Sequence, residues 1–147
     1  MSRMRGVDGF EELWRRRTTV HDESGEIDVL SLPDLVNAKK TQRDKDWPMI
    51  RRLLEQEFYR NLQPSEAQLD FLLRELRTAE LLLELCAGHT AAATRQSRPA
   101  VDAALRGELD LTRTLLAKEE RAERDDDARY WSSLRRELEL MRRTRRG

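Results

Sequence analysis

The spacing of apolar residues along the chain predicts a largely helical protein. Phe10, Leu13 and Trp14 recur at helical spacing, and the basic run Arg15–Arg17 follows them, as suits the C-terminal end of a helix. Leu32, Leu35 and Val36 line a second helical face. Further stripes at this spacing predict more helices: Ile50, Leu53, Leu54 and Phe58; Leu69, Leu72, Leu73 and Leu76; Val101, Ala104 and Leu105; Leu109, Leu115 and Leu116; and Tyr130, Trp131, Leu134, Leu138 and Met141.

One short region departs from this pattern and predicts a β-hairpin. Residues Thr18–Val20 are β-branched, and Ile27–Leu30 alternates between apolar and polar positions. The polar residues between them form the turn. Two strands alone are marginal in water, so this hairpin needs a further sheet or a helix to pack against.

Helix-end signals divide the rest of the chain. Ser31 precedes Leu32-Pro33-Asp34 as an N-cap, and Ser65 with Gln68 forms a capping box. Asp46, just before Trp47-Pro48, is predicted to cap the next helix. The apolar stretch Leu81–Cys86 predicts the buried centre, and Gly88 is a candidate C′ residue.

These patterns predict a mainly α fold with a short N-terminal β-hairpin remnant, a helical bundle and a long C-terminal helical arm. Residues 1–30 contain the hairpin, and residues 31–88 form the bundle. The small, polar segment 89–98 is predicted to be a linker, and residues 99–147 form the arm, which Gly107 interrupts.

Composition and charge exclude several classes of protein. The 28 basic and 28 acidic side chains cancel, so no global field attracts nucleic acid or anionic lipid. The basic run Arg142–Arg146 is a local exception, which the helix dipole explains better than phosphate binding does. No apolar run approaches the roughly 20 residues that span a bilayer. The single cysteine, Cys86, fits a reducing compartment, so a cytoplasmic location is expected.

One segment carries a resemblance to a known family. Residues 27–54 read IDVLSLPDLVNAKKTQRDKDWPMIRRLL, in which a strand runs into LSxxDLxxxK, with Arg43, Lys45 and Asp46 opening the next helix. Upstream, Gly9 precedes Phe10–Trp14 in the order Gly, then FEELW. This stretch of about 60 residues resembles the back of a nucleotidyltransferase-superfamily domain of the minimal, abortive-infection toxin-like kind.

The resemblance implies a catalytic sheet that this sequence lacks. Family catalysis uses a Gly-Ser turn, paired acids on one strand and a third acid on a neighbouring strand, which together hold two metal ions. No Gly-Ser pair and no Asp-x-Asp or Asp-x-Glu precedes Phe10. The sheet is therefore expected upstream of Met1, which makes the chain a truncated product or a stand-alone relic.

By the same resemblance, Lys39 and Asp46 are nucleotide-binding candidates at the rim of the active site. Lys39 would face a phosphate, and Asp46 would assist it or cap the helix. Ordinary helix-end chemistry explains both residues equally simply, and it is the preferred interpretation without the sheet.

Other candidate chemistry is weaker. Glu26 and Asp28 have the i, i+2 spacing of a metal pair, but two carboxylates without a third ligand make a poor site. His21 and His89 stand alone in polar turns, and Cys86 on its Leu-rich stretch behaves as a small hydrophobe. No catalytic residue, metal or cofactor is predicted.

The sequence leaves two functions open. The first is a nucleotidyltransferase-like protein that lacks the catalytic carboxylates and does not transfer nucleotides alone. The alternative is a helical protein-interaction module, antitoxin-like or a scaffold. Its predicted surface for a second copy or another protein is the C-terminal stripe of Tyr130, Trp131, Leu134, Leu138 and Met141.

Overall fold

The computed structural model describes residues 5–146, with side chains described to residue 144. Residues 1–4 of the predicted hairpin segment and Gly147 lie outside the described residues, as do the side chains of Arg145 and Arg146 in the basic run. The described chain is mainly helical, as the sequence predicts. Its elements are α1 (Phe10–Arg16), β1 (Thr18–Asp22), β2 (Gly25–Val29), α2 (Leu32–Lys39), α3 (Asp46–Arg60), α4 (Glu66–Glu75), α5 (Ala79–Gly88), α6 (Thr90–Thr94), α7 (Pro99–Leu105) and α8 (Leu109–Arg146).

The β-hairpin is formed by β1 and β2, which pair antiparallel with Val20 opposite Ile27 and Thr18 opposite Val29. Because side chains alternate along a strand, Val20, Ile27 and Val29 share one face. All residues of both strands are exposed. Within the described part of the chain each strand pairs only with the other, so both outer edges carry unpaired backbone groups.

The hydrophobic core lies among α2 to α8. Its largest fully buried side chains include Trp47, Ile50, Leu54, Leu72, Leu73, Leu76 and Leu82. Within the predicted centre, Leu81, Leu82, Leu85 and Cys86 are buried. The capping box between Ser65 and Gln68 has both of its hydrogen bonds, and the Ser31 hydroxyl accepts from the Asp34 amide. These local predictions are confirmed.

The segment 89–98 is packed rather than open. It contains α6, and Ala93 and Arg98 are buried within the same core that α5 and α7 form. Gly107, with φ of +71°, turns the chain between α7 and α8. The N-terminal half of α8 then packs against α5 and α7. The predicted linker was therefore wrong in its conformation, and the helices that follow it belong to the bundle as far as Asp127.

Helix α8 has 38 residues and is therefore about 57 Å long. Thr112, Leu116 and Asp127 are buried along its first half, whereas Leu138 and Met141 are 53% and 64% exposed. The long C-terminal helix that the sequence predicts is therefore present, but only its second half projects as an arm, which is shorter than the predicted residues 99–147. Within residues 5–146, none of the helices combines the length and apolar character of a membrane-crossing segment.

Candidate functional site

The residues that carry the family resemblance form two separate groups of contacts, one at each end of α2. Asp34, in the first turn of α2, is buried, and its carboxylate accepts hydrogen bonds from the Ser31 hydroxyl and from two nitrogens of Arg16 in α1. The Arg16 Nη2 lies 2.8 Å from Asp34 Oδ1. These hydrogen bonds, from Arg16 first, lower the pKa of Asp34. Asp34 therefore holds α1 against the start of α2.

Lys39 and Asp46, the predicted nucleotide-binding pair, lie beside each other. The Lys39 Nζ is 3.8 Å from Asp46 Oδ1, and the Asp46 residue is only 3% exposed. The Thr41 hydroxyl also donates to the Asp46 carboxylate, while the Thr41 carbonyl accepts from the Trp47 indole at 2.8 Å. Asp46 thus belongs to a closed polar cluster that fixes the α2–α3 connection.

The predicted capping role of Asp46 was wrong. The N-cap of α3 is Lys45, which already has helical φ and ψ angles and makes no side-chain capping bond. Asp46 is the first helical residue, and its carboxylate is turned to Thr41 and Lys39 instead. Arg43 and Lys45, the other residues of the resembling pattern, are exposed.

The remaining predicted candidates do not converge. Asp28 accepts from the Thr19 hydroxyl at 2.7 Å and pairs with Arg17, which lowers its pKa, while Glu26 lies 3.3 Å from His21 Nδ1. The described residues contain no group of three or more His, Cys, Asp or Glu placed to bind a metal ion. Burial raises the pKa of the Cys86 thiol to about 11, so the thiol is protonated and packs as an apolar group.

An ionic layer between α8 and the bundle, built around two buried arginines, was not anticipated from the sequence. Arg98 donates to the Leu73 and Leu76 carbonyls at 2.7 and 3.0 Å and pairs with Glu119 at 2.8 Å. Arg77 pairs with Glu123 at 3.0 Å. The complete ionic layer consists of Lys40, Glu75, Arg77, Arg98, Glu119 and Glu123. The one sequence feature that indicates this ionic layer is the charge-rich stretch 118–129, and such a stretch is equally typical of a solvated helix face.

A groove of about 660 Å³ lies between α3, the start of α5 and α8. Most of its arginines pair with carboxylates: Arg51 lies 2.7 Å from Glu120, and Arg113 contacts Glu80. Arg121 also lines the groove, and among the described residues it forms no ion pair. The groove is therefore mainly an ion-pair surface with an excess of positive charge.

A second cavity, of about 520 Å³, lies where the N-terminal segment crosses α8. Arg5 bonds Asp127 at 2.6 Å, and its guanidinium lies 4.9 Å from the centre of the Tyr130 ring. Asp126 and Trp131 complete the α8 side of this cavity. Trp131 is also the first residue of the α8 stripe, defined as Trp131, Leu134, Leu138 and Met141.

Comparisons with known proteins place no constraint on this site. The chain matches no protein-family model, no curated protein and no solved structure. Its function must therefore be argued from its own residues.

The Asp34 contacts make a prediction about acid stability. Because folding lowers its pKa, Asp34 stabilises the fold above its unfolded pKa of about 3.9, and this contribution is lost as the pH falls through the folded value. We expect Asp34→Asn to lower the free energy of unfolding by about 1–2 kcal/mol at pH 7 and to flatten its decline below pH ~4. Urea unfolding across this pH range measures both effects.

Asp8→Asn is the matched control, because Asp8 pairs with the same Arg16 at 2.9 Å but is exposed. It should change the free energy of unfolding by less than about 0.5 kcal/mol. Equal effects of the two replacements would contradict the role given to Asp34.

Proposed function

We propose that this chain is a nucleotidyltransferase-like protein that does not transfer nucleotides by itself. The proposal rests on one observation: the exposed β-hairpin is followed directly by α2, whose residues from the resembling segment contact neighbouring segments. Within the described residues, an amphipathic hairpin with two unpaired edges leads directly into α2, where Asp34 binds Arg16 at one end and Lys39 pairs with Asp46 at the other. A hairpin of this kind is suited to extend a larger sheet, as the resemblance implies.

The missing chemistry supports the second half of the proposal. Two-metal nucleotidyl transfer needs carboxylates that converge on the metal ions. Glu26 and Asp28, the acid pair on β2, are instead engaged separately by His21 and by Thr19 with Arg17. Under this proposal Lys39 would contact a bound nucleotide, because its side chain is partly exposed, whereas the buried Asp46 would position Lys39 from behind.

We expect no nucleotidyl transfer from the isolated chain. Labelled nucleoside triphosphates, with Mg²⁺ or Mn²⁺ and a broad panel of acceptors, should give no labelled product above a protein-free control. A Lys39→Ala variant tests binding separately, by titration of ATP into both proteins. Robust turnover that Glu26→Ala or Asp28→Ala abolishes would overturn the proposal.

A second candidate function is a protein-interaction module that binds another copy of itself. The observation that favours it is the α8 stripe, four large apolar side chains on an arm that projects from the bundle, of which Leu134 is half-buried and the others are exposed. Such a contiguous apolar surface is typical of an interaction site. Self-association that requires Leu138 would support this function.

A further inference from the structure

We propose that two copies of this chain pair antiparallel through residues 131–141 of α8. The proposal rests on the self-association function above and adds the orientation of the partner. It places a twofold axis close to residue 136, midway along the α8 stripe.

The first argument is steric. Thr112, Leu116 and Asp127 are buried where α8 packs on the bundle, and the α8 stripe continues the same helical face at the same spacing. A parallel partner helix lying on this stripe would run back into the space that the bundle occupies. An antiparallel partner runs away from the bundle beyond the end of α8, so both bundles fit, one at each end.

The second argument is the apolar match. An antiparallel pair centred near residue 136 places Trp131 opposite Met141 of the second copy, and Leu134 opposite Leu138. The surface is therefore self-complementary, as a twofold interface requires. Methionine sulfur also packs well against an aromatic ring. The contact is short, so we expect a weak, concentration-dependent dimer.

The third argument is the charge at the two ends of the stripe. The acidic run Asp125–Asp127 lies just before the stripe, and the basic run Arg142–Arg146 lies just after it. Asp125, Asp126, Arg142 and Arg143 are all exposed. With the axis near residue 136, positions 145 and 146 of one copy lie level with Asp127 and Asp126 of the other, so the end of the basic run approaches the acidic run. Within one copy, Asp127 pairs with Arg5 and Asp126 with Arg129. A parallel arrangement would bring like charges together.

One pair of contacts opposes this orientation. Arg135 and Glu137 flank the axis, so each would face its own equivalent in the second copy. Exposed charge pairs contribute only about 0.2–1 kcal/mol each, whereas overlap with a folded bundle excludes the parallel arrangement. The steric effect therefore decides the orientation.

Cysteine cross-linking tests the orientation in a Cys86→Ala background, with a short bismaleimide. Arg135→Cys lies beside the proposed axis and should cross-link efficiently. Met141→Cys should not, because antiparallel pairing separates the two positions by ~15 Å along the axis, whereas a parallel pair would place them together. Arg136→Cys, on the opposite face of α8, is the matched control and should also remain uncrosslinked.

Sedimentation velocity over a range of concentrations separates the two levels of the proposal. Dimerisation that Leu138→Glu abolishes, combined with the Arg135 cross-link, supports both. A dimer that cross-links at Met141 and not at Arg135 overturns the orientation and leaves self-association standing. A strict monomer at high concentration overturns both.

Charge reversal gives an independent check with opposite signs for the two orientations. Arg145→Glu with Arg146→Glu should weaken an antiparallel dimer by about threefold to tenfold, because these positions lie level with Asp127 and Asp126 of the second copy and the attraction to the acidic run is lost. The same changes would strengthen a parallel dimer, because a parallel pair places the two basic runs side by side and the replacements remove the repulsion between them. Stronger dimerisation of this variant would overturn the proposed orientation.

Discussion

Replacement of Arg98 by alanine is expected to lower the free energy of unfolding by about 3–5 kcal/mol, the usual cost of breaking a buried ion pair from one side. Arg98, the N-cap residue of α7, is buried and contacts both α4 and α8. Its guanidinium donates to the Leu73 and Leu76 carbonyls at the end of α4 and pairs with Glu119 on α8. Alanine would leave two carbonyls without donors and a carboxylate without its counter-charge. Urea unfolding followed by circular dichroism measures the loss.

Arg95 provides the matched control. It is an exposed arginine three residues away, and its closest carboxylate, Glu66, lies 3.8 Å from it. Arg95→Ala should change the free energy of unfolding by less than about 0.5 kcal/mol. If Arg98→Ala were as mild as Arg95→Ala, the ionic layer would not hold α8 on the bundle.

Trp47→Ala is expected to cost a similar amount, about 3–5 kcal/mol, through loss of a large core side chain. Trp47 is 1% exposed, and Arg77 and Arg124 lie 5.8 and 5.4 Å from its ring centre. Its indole N–H donates to the Thr41 carbonyl. A cavity at this position would loosen the α2–α3 connection as well as the core.

Two further tryptophan variants separate packing from hydrogen bonding. Trp47→Phe keeps most of the volume and loses the indole donor, so it should cost about 1–2 kcal/mol. Trp14, on α1, is 45% exposed, and Trp14→Ala should be clearly milder than Trp47→Ala. Comparable losses at Trp14 and Trp47 would contradict the assignment of Trp47 to the core.

Most of the fold could be predicted from the sequence, because the features that encode it are local. The Ser65–Gln68 capping box lies within one helical turn, and the apolar composition of Leu81–Cys86 is enough to predict that this stretch is buried. The five-residue helix α6 was missed, since Thr90–Thr94 is too short to display an apolar stripe and only Ala93 is buried.

The ionic layer could not be predicted for a different physical reason. Arginine and glutamate are found mostly on surfaces, so Arg98 and Glu119 are assigned to solvent by default. Their pairing joins residues 21 positions apart, on different helices. No local periodicity encodes such a choice of partner. The capping prediction for Asp46 was wrong for the same reason. A short acidic residue before a helix is typical of an N-cap, and only the structure shows that its carboxylate contacts Thr41 and Lys39 instead.

The ionic layer also determines where along the bundle α8 can rest. An apolar seam alone tolerates sliding, because one leucine can take the place of the next. Here, a slide of one turn in one direction would bring Glu120 into the buried site of Leu116. In the other direction it would bring Leu115 in place of Glu119 and leave Arg98 facing an apolar side chain. Charge thus fixes the helix in a single register, and with it the distance by which the arm projects from the bundle.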